Sequence, residues 1–242
     1  MTRLMRAEAL KLCTTRTFWL LVIGALALII LGVTFTASAT SYTAGANPAR
    51  ATLALAGLAQ TAALIAGALA MTGEFRHKTV TRAVLITPRR IPLLPAKLVT
   101  LAAAGLGIGL LATGTAAAIA RPVLAARHIQ SGVSGAQLAG IIVGGAAATA
   151  LAAALGVGVG TIIRNQAGAI IAVLSLLYVA EPLLGFIPHI GAAIQEYGLG
   201  GLASGATGTA GFPSSAHLLG QIPAVLVIAC YALTTLLLAT FT

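Results

Sequence analysis

Between Arg16 and Glu74 the chain carries a single charged residue, Arg50, and it carries none from Leu98 to Ala120, from His128 to Ile163 or from Tyr197 to Thr242. A soluble domain, in which about a quarter of residues are charged, does not contain such stretches. Here 7% of residues are charged and 59% are apolar, and the mean hydropathy is +1.03. That balance excludes a soluble enzyme and a disordered tail. The formal net charge of +10 could suggest a nucleic-acid partner. Too few polar residues accompany it to build a wet basic face, so nucleic acid is excluded too. The chain reads as an integral membrane protein.

A bilayer core takes about 20 apolar residues of helix. Six segments meet that length, approximately 17–37, 51–71, 93–120, 135–163, 167–184 and 217–240. The fifth is the shortest by hydropathy, reaching Val179 and continuing through Glu181 to Leu184. No ten-residue alternation of the kind a closed barrel requires is visible, so the expected fold is all-α, with residues 1–242 forming one transmembrane domain. The N-terminus imitates a secretory signal, but its apolar stretch from Phe18 to Phe35 exceeds the roughly 7–15 residues of a signal core, so it is expected to stay as the first span. Cys13 and Cys230 are too few and too separated for a disulfide framework or a metal site.

Orientation follows from the basic residues. Arg3, Arg6, Lys11 and Arg16 precede the first span; Arg76, Lys78, Arg82, Arg89, Arg90 and Lys97 crowd the connection between the second and third; Arg164 lies between the fourth and fifth. The other side holds Arg50, Arg121 and Arg127. The richer side is expected to be cytoplasmic, with both termini on it. The outer connection, 182–216, is Gly-rich and interrupted by Pro182, Pro188 and Pro213. It can carry an interfacial helix near Gly191–Tyr197 or a re-entrant pair whose backbone is covered by protein.

The inner loop from Gly73 to Lys97 is the most informative segment. A helix starting at Glu74 would place Glu74, Lys78, Thr81 and Arg82 on one side, with Glu74 four residues before Lys78 in the favourable ion-pair order. Thr87-Pro88 would end it, because a residue before proline avoids the α region. The loop is then either a basic collar on anionic headgroups or a short surface helix docked to a cytoplasmic partner.

The string TGEFRHKTVTRAVLITPRR, followed by Lys97, resembles the corresponding loop in permeases of the type-2 ABC exporter superfamily, most closely the short actinobacterial ones. LGVGVGTIIRNQAGAIIAVLSLLYVAEPLL (Leu155–Leu184) is similar to their junction of fourth and fifth spans, and RAEALKLCTTRTFWLL to the basic interfacial elbow helix that enters their first span. The three stretches cover about a third of the chain in the family's order.

The resemblance implies a multi-pass permease of a bacterial cell (inner) membrane with an N-terminal interfacial elbow (1–16) and a cytoplasmic coupling helix within 73–90. It implies two permease chains, most simply a homodimer, working with a separate cytoplasmic ATPase. ATP and Mg would be held by that partner; this chain would bind no cofactor and no metal and carry no catalytic residue. In agreement, its lysines follow Leu10, His77 and Ala96, so no phosphate loop of the G-x-x-x-x-G-K-[ST] type exists. Gly73, Glu74, Arg76, Lys78, Arg82, Pro88, Arg89 and Arg90 would form the ATPase-coupling segment. Arg164, Asn165 and Gln166 form an inner turn, in which Arg164 either anchors a helix end or adds an ATPase contact. Glu181 is either an interfacial carboxylate or a group at the exit mouth. The cargo would be hydrophobic or amphipathic: a drug, an antibiotic, a peptide or a lipid.

One rival carries a different chemistry. Gly132-Val133-Ser134-Gly135 and Ala216-His217-Leu218-Leu219-Gly220 look like the GxSG and AHxxG signatures of rhomboid intramembrane proteases, where Ser134 would be nucleophile and His217 its base. Against it stand the 35-residue connection between them and the lack of a His or Asn in the second span for an oxyanion hole. The pairs Gly105/Gly109, Gly140/Gly144 and Gly156/Gly160 are read as helix-packing positions.

Overall fold

A computed structural model describes residues 2–39, 47–76, 93–129, 132–187, 189–209 and 218–241. Among the described residues the fold is all-helical, and six helices are long and apolar enough to cross a membrane. The chain runs α1 (Thr2–Thr14), α2 (Arg16–Ala39), α3 (Pro48–Arg76), α4 (Leu93–Ala126), α5 (Gly135–Ile163), α6 (Gln166–Gly185), α7 (Ile190–Tyr197), α8 (Leu199–Thr207) and α9 (Gln221–Phe241). The six candidate spans are α2, α3, α4, α5, α6 and α9.

Burial ranks these helices. In α3 and α5, 61% of the apolar window is buried inside the protein, against 17% in α2 and α9 and 11% in α6. The α3–α5 pair is therefore the centre. Its interface is built from small residues: a Cβ on Gly156 would run into the Leu64 carbonyl, and one on Gly67 into the Ala153 carbonyl. Without a hydrophobic drive between helices in lipid, such close backbone approach supplies the packing. Gly105 and Gly109 do the same for α4 against α5, and Gly144 for α8 against α5. Gly140 does not; a Cβ there would meet only the Gln221 side chain, 3.4 Å away.

An apolar core still contains hydroxyls, and these are satisfied within their own helices. Thr72 donates to the Ala68 carbonyl (2.9 Å), Thr113 to Gly109 (2.7 Å), Thr149 to Gly145 (2.6 Å) and Thr161 to Val157 (2.7 Å). Back-bonding of this kind is what makes a buried threonine tolerable among Ala and Gly.

Two helices differ from the hydropathy pattern. Arg121-Pro122 suggests an end for the third span at Ala120, yet α4 continues to Ala126 with Pro122 inside it. Leu124 explains the extension: it is fully buried in a cluster with Ala37 and Ala49, and that contact outweighs the hydrogen bond Pro122 cannot donate. In α3, a 3₁₀ turn at Ala54–Gly57 follows a helix start capped by Asn47, whose side chain accepts the Arg50 N–H at 3.2 Å. Within the 182–216 connection the described residues include a helical pair, α7 and α8. Leu202 and Ala206 of α8 are fully buried against Ala148 of α5 and Ala224 and Ile228 of α9. Protein thus covers one face of α8.

Candidate functional site

Glu74 lies two residues before the end of α3, so the helix continues through it from the second span rather than starting there. Its side chain is 14% exposed and faces Lys97 of α4 across 2.6 Å. The Lys97 ammonium, 4% exposed, also reaches Glu8 of α1 at 3.4 Å and donates to the Ala70 carbonyl at 3.0 Å. Lys11, one turn after Glu8, pairs with Glu8 and lies 3.3 Å from Glu74. Two carboxylates and two ammonium groups therefore interlock three helices with no net charge.

Such a cluster is costly to build. Buried ions lose hydration, and only close, mutually satisfied partners offset the loss. Lys97 fulfils that condition with three acceptors from two helices besides its own. Lys11 is more open. Burial lowers its pKa, but the hydrogen bond to Glu8 and the charges of Glu74 and Glu8 outweigh that and hold it above the ordinary lysine value.

The cluster lines a cavity of about 430 Å³, which the apolar residues Phe18, Leu21 and Leu101 also line. The junction of α1 and α2 at Thr15 closes one side, fixed by the Trp19 indole donating to the Cys13 carbonyl at 2.8 Å. Gln166 of the turn between α5 and α6 also lines it.

That turn is fastened to the same helix end. Arg164 adopts the left-handed conformation (φ 52°) that closes α5, and its guanidinium stands 5.6 Å from the Phe75 ring centroid. Asn165 caps α6 by accepting the N–H groups of Ala167 and Gly168. Gln166 accepts from Arg76 at 3.1 Å. Glu74, Phe75 and Arg76 thus each bind a different neighbour, and Gly73 lines the cavity beneath them. Lys78, Arg82, Pro88, Arg89 and Arg90 lie outside the described residues.

Glu181 is elsewhere. Its carboxylate accepts the N–H groups of Leu199 (2.7 Å) and Gly200 (3.0 Å), capping the start of α8. It follows a π-helical turn at Leu176–Ala180, beside which Tyr178 and Thr61 share a 3.2 Å hydrogen bond between α6 and α3. A mostly apolar cavity of about 260 Å³ opens there between α3, α5, α6 and α8. Ser134 is the N-cap of α5 in a capping box: its hydroxyl accepts the Gln137 N–H at 3.2 Å, and the Gln137 side chain accepts the Ser134 N–H at 2.9 Å. His217 lies outside the described residues.

Sequence reasoning placed Glu74 among candidate site residues but missed Glu8 and Lys97 as its companions. The available signal was scarcity. A chain with four acids has little reason to place two beside apolar spans unless each has a cation to meet. Comparison of the sequence with protein-family models and with curated proteins gives no match.

Proposed function

We propose that this chain is the permease subunit of an ATP-driven exporter, working as a pair with a separate cytoplasmic ATPase and passing a hydrophobic or amphipathic cargo. One observation carries the reading. The 77–92 connection, basic at Lys78, Arg82, Arg89 and Arg90, leaves α3 and returns in α4, and the Glu74–Lys97 pair clamps those two helices together at its base. A force applied to such a connection would move α3 and α4 as a unit. Glu8 and Lys11 would carry the same displacement into α1, and Arg76 with Gln166 into the α5–α6 turn.

The six apolar helices, the concentration of basic residues on one side and the sequence resemblance all support this reading. Conformational switching of this kind needs packed helices with two arrangements, and nucleotide-driven closure of the ATPases would supply the bias between them. The mostly apolar cavity between α3, α5, α6 and α8 suits an apolar cargo.

The test is co-purification. The detergent-solubilised chain should retain an ATPase bearing a Walker phosphate-loop motif, and the doubly reversed variant Lys78→Glu/Arg82→Glu should lose it while eluting as a folded species. Wild-type chain purified from its native membrane without any such ATPase would sink the proposal. Proteolysis of a membrane peptide, abolished by Ser134→Ala, would favour the protease reading instead.

A further inference from the structure

At the end of the bundle opposite the Glu8–Lys97 cluster, a second cavity holds one cation in its wall. It measures about 610 Å³ and lies between the first turn of α3, the start of α5, the end of α8 and the start of α9. Arg50 enters it from α3. The Arg50 Nε is buried and has no hydrogen-bond partner among the described residues. Among the described residues that line the cavity there is no Asp or Glu to neutralise the guanidinium.

An arginine cannot relieve this situation by losing its proton, since its charge is permanent at any pH a protein meets. Arg50 as a whole is only half-buried, but its Nε–H is a buried donor left unsatisfied, which is costly, so the geometry asks for an acceptor there. Other groups in the wall are suited to help. Gln137 has its side-chain oxygen engaged by the Ser134 N–H, which leaves its NH₂ to donate. Gln221 lies beside Gly140 and Gly208, both without side chains of their own to fill the space.

The surroundings indicate what carries that acceptor. The cavity is at the N-terminal ends of three candidate spans, and the ends of spanning helices are where headgroups meet a protein. Its wall is more apolar than polar and includes Ile141, Leu218 and Leu219. Immediately beyond Gln221, Ile222 and Leu226 lie one turn apart on α9 and are 75% and 60% exposed. They offer exposed apolar surface close in sequence to the cavity-lining Gln221, as an acyl tail beside a bound headgroup requires.

We propose that this cavity binds the anionic phosphate-bearing head of an amphiphile, with Arg50 as its charge partner and the tail lying along Ile222 and Leu226. Guanidinium and phosphate are matched in geometry and can share two parallel hydrogen bonds. The proposal does not depend on the transport reading, because it concerns occupancy of a site and not movement through the protein.

The experiment measures headgroup selectivity on the purified full chain, by native mass spectrometry and by thermal stability on adding phosphatidylglycerol, phosphatidylcholine or inorganic phosphate. Wild type should retain phosphatidylglycerol in preference to phosphatidylcholine and gain stability from it. Arg50→Gln should weaken phosphatidylglycerol binding by about tenfold or more and leave phosphatidylcholine unchanged. Gly140→Leu keeps Arg50 and fills the chamber, and should abolish the preference even if Arg50→Gln proves too unstable to purify. Arg121→Gln, which removes an exposed charge near the same end, should have no effect. Retention of the wild-type preference by Gly140→Leu or by a folded Arg50→Gln would overturn the proposal. So would stabilisation by inorganic phosphate equal to that by phosphatidylglycerol, since the site would then hold a free anion.

Discussion

Lys97→Met should destabilise this protein through the two carboxylates it leaves behind. The ammonium is 4% exposed and is a partner of Glu74 at 2.6 Å and of Glu8 at 3.4 Å. Methionine matches the stem in length and preserves the packing, so the loss is electrostatic rather than a cavity. Removing one member of a buried pair costs about 3–5 kcal/mol, because the remaining charge stays desolvated. Lys11 still serves both carboxylates from its more exposed position, which places the expectation near the lower end, about 3 kcal/mol.

For a chain of this length that corresponds to a fall in the apparent melting temperature of about 6–12 °C. Size-exclusion chromatography after heating, followed through Trp19, would measure it in detergent or nanodiscs. The decisive variant is the double one, Glu74→Gln/Lys97→Met. It removes charge from both sides, so it should recover a substantial part of the lost stability, with a coupling of about 1–3 kcal/mol between the sites. A shift below 2 °C in the single variant, or strict additivity in the double, would refute the idea that these groups form one unit.

Three further outcomes follow from the packing and the caps. Gly156→Ala should cost about 1–3 kcal/mol, since its Cβ would strike the Leu64 carbonyl and the Ala68 N–H, whereas Gly24→Ala, with nothing within 4 Å, should gain up to about 1 kcal/mol. Glu181→Ala removes the acceptor of the Leu199 and Gly200 N–H groups, and amide exchange at the start of α8 should accelerate by an amount matching about 1 kcal/mol. Lys11 is raised above the ordinary lysine value of about 10.4, so its stabilisation is complete below that pH and is lost as pH rises through the folded-state value. The melting difference between wild type and Lys11→Met should therefore stay constant from about pH 7 to 9 and shrink only above about pH 10.

The spans were legible because hydropathy reports the one property lipid demands of every spanning helix. The fourth segment was expected at 135–163, and a helix long and apolar enough to span runs from Gly135 to Ile163, where Ser134 and Gln137 write the start into the sequence and Arg164 closes the end. Ends marked only by a change in polarity were placed less well. The second helix runs past the apolar stretch to Arg76 because Glu74 and Arg76 find partners on neighbouring helices, which a linear pattern does not display. The third runs past Pro122 because Leu124 is buried by Ala37 and Ala49, far away in sequence. Glu8 illustrates the limit most clearly. On a helical wheel its charge scatters among those of Arg3, Arg6, Lys11 and Arg16, and nothing local distinguishes it. It is buried because α1 lies against α4 at Lys97, a contact about 90 residues away along the chain.

That cluster also separates two roles that the inner loop could combine. If the loop docks an ATPase, Glu74 is poorly placed to take part, since its carboxylate is already held by Lys97 and Lys11. With that acid neutralised internally, the segment from Arg76 to Arg90 presents only cations: Arg76, Lys78, Arg82, Arg89 and Arg90. A partner would therefore have to offer an acidic surface, and binding should weaken as salt rises. The two roles then respond to different substitutions. Glu74→Lys should lower the melting temperature of the isolated chain, and any loss of partner binding should follow from that instability. Lys78→Glu/Arg82→Glu should leave the isolated chain as stable as wild type while removing the partner. Equal stability of the Glu74→Lys and wild-type chains, combined with lost binding, would place Glu74 in the docking surface and break this division.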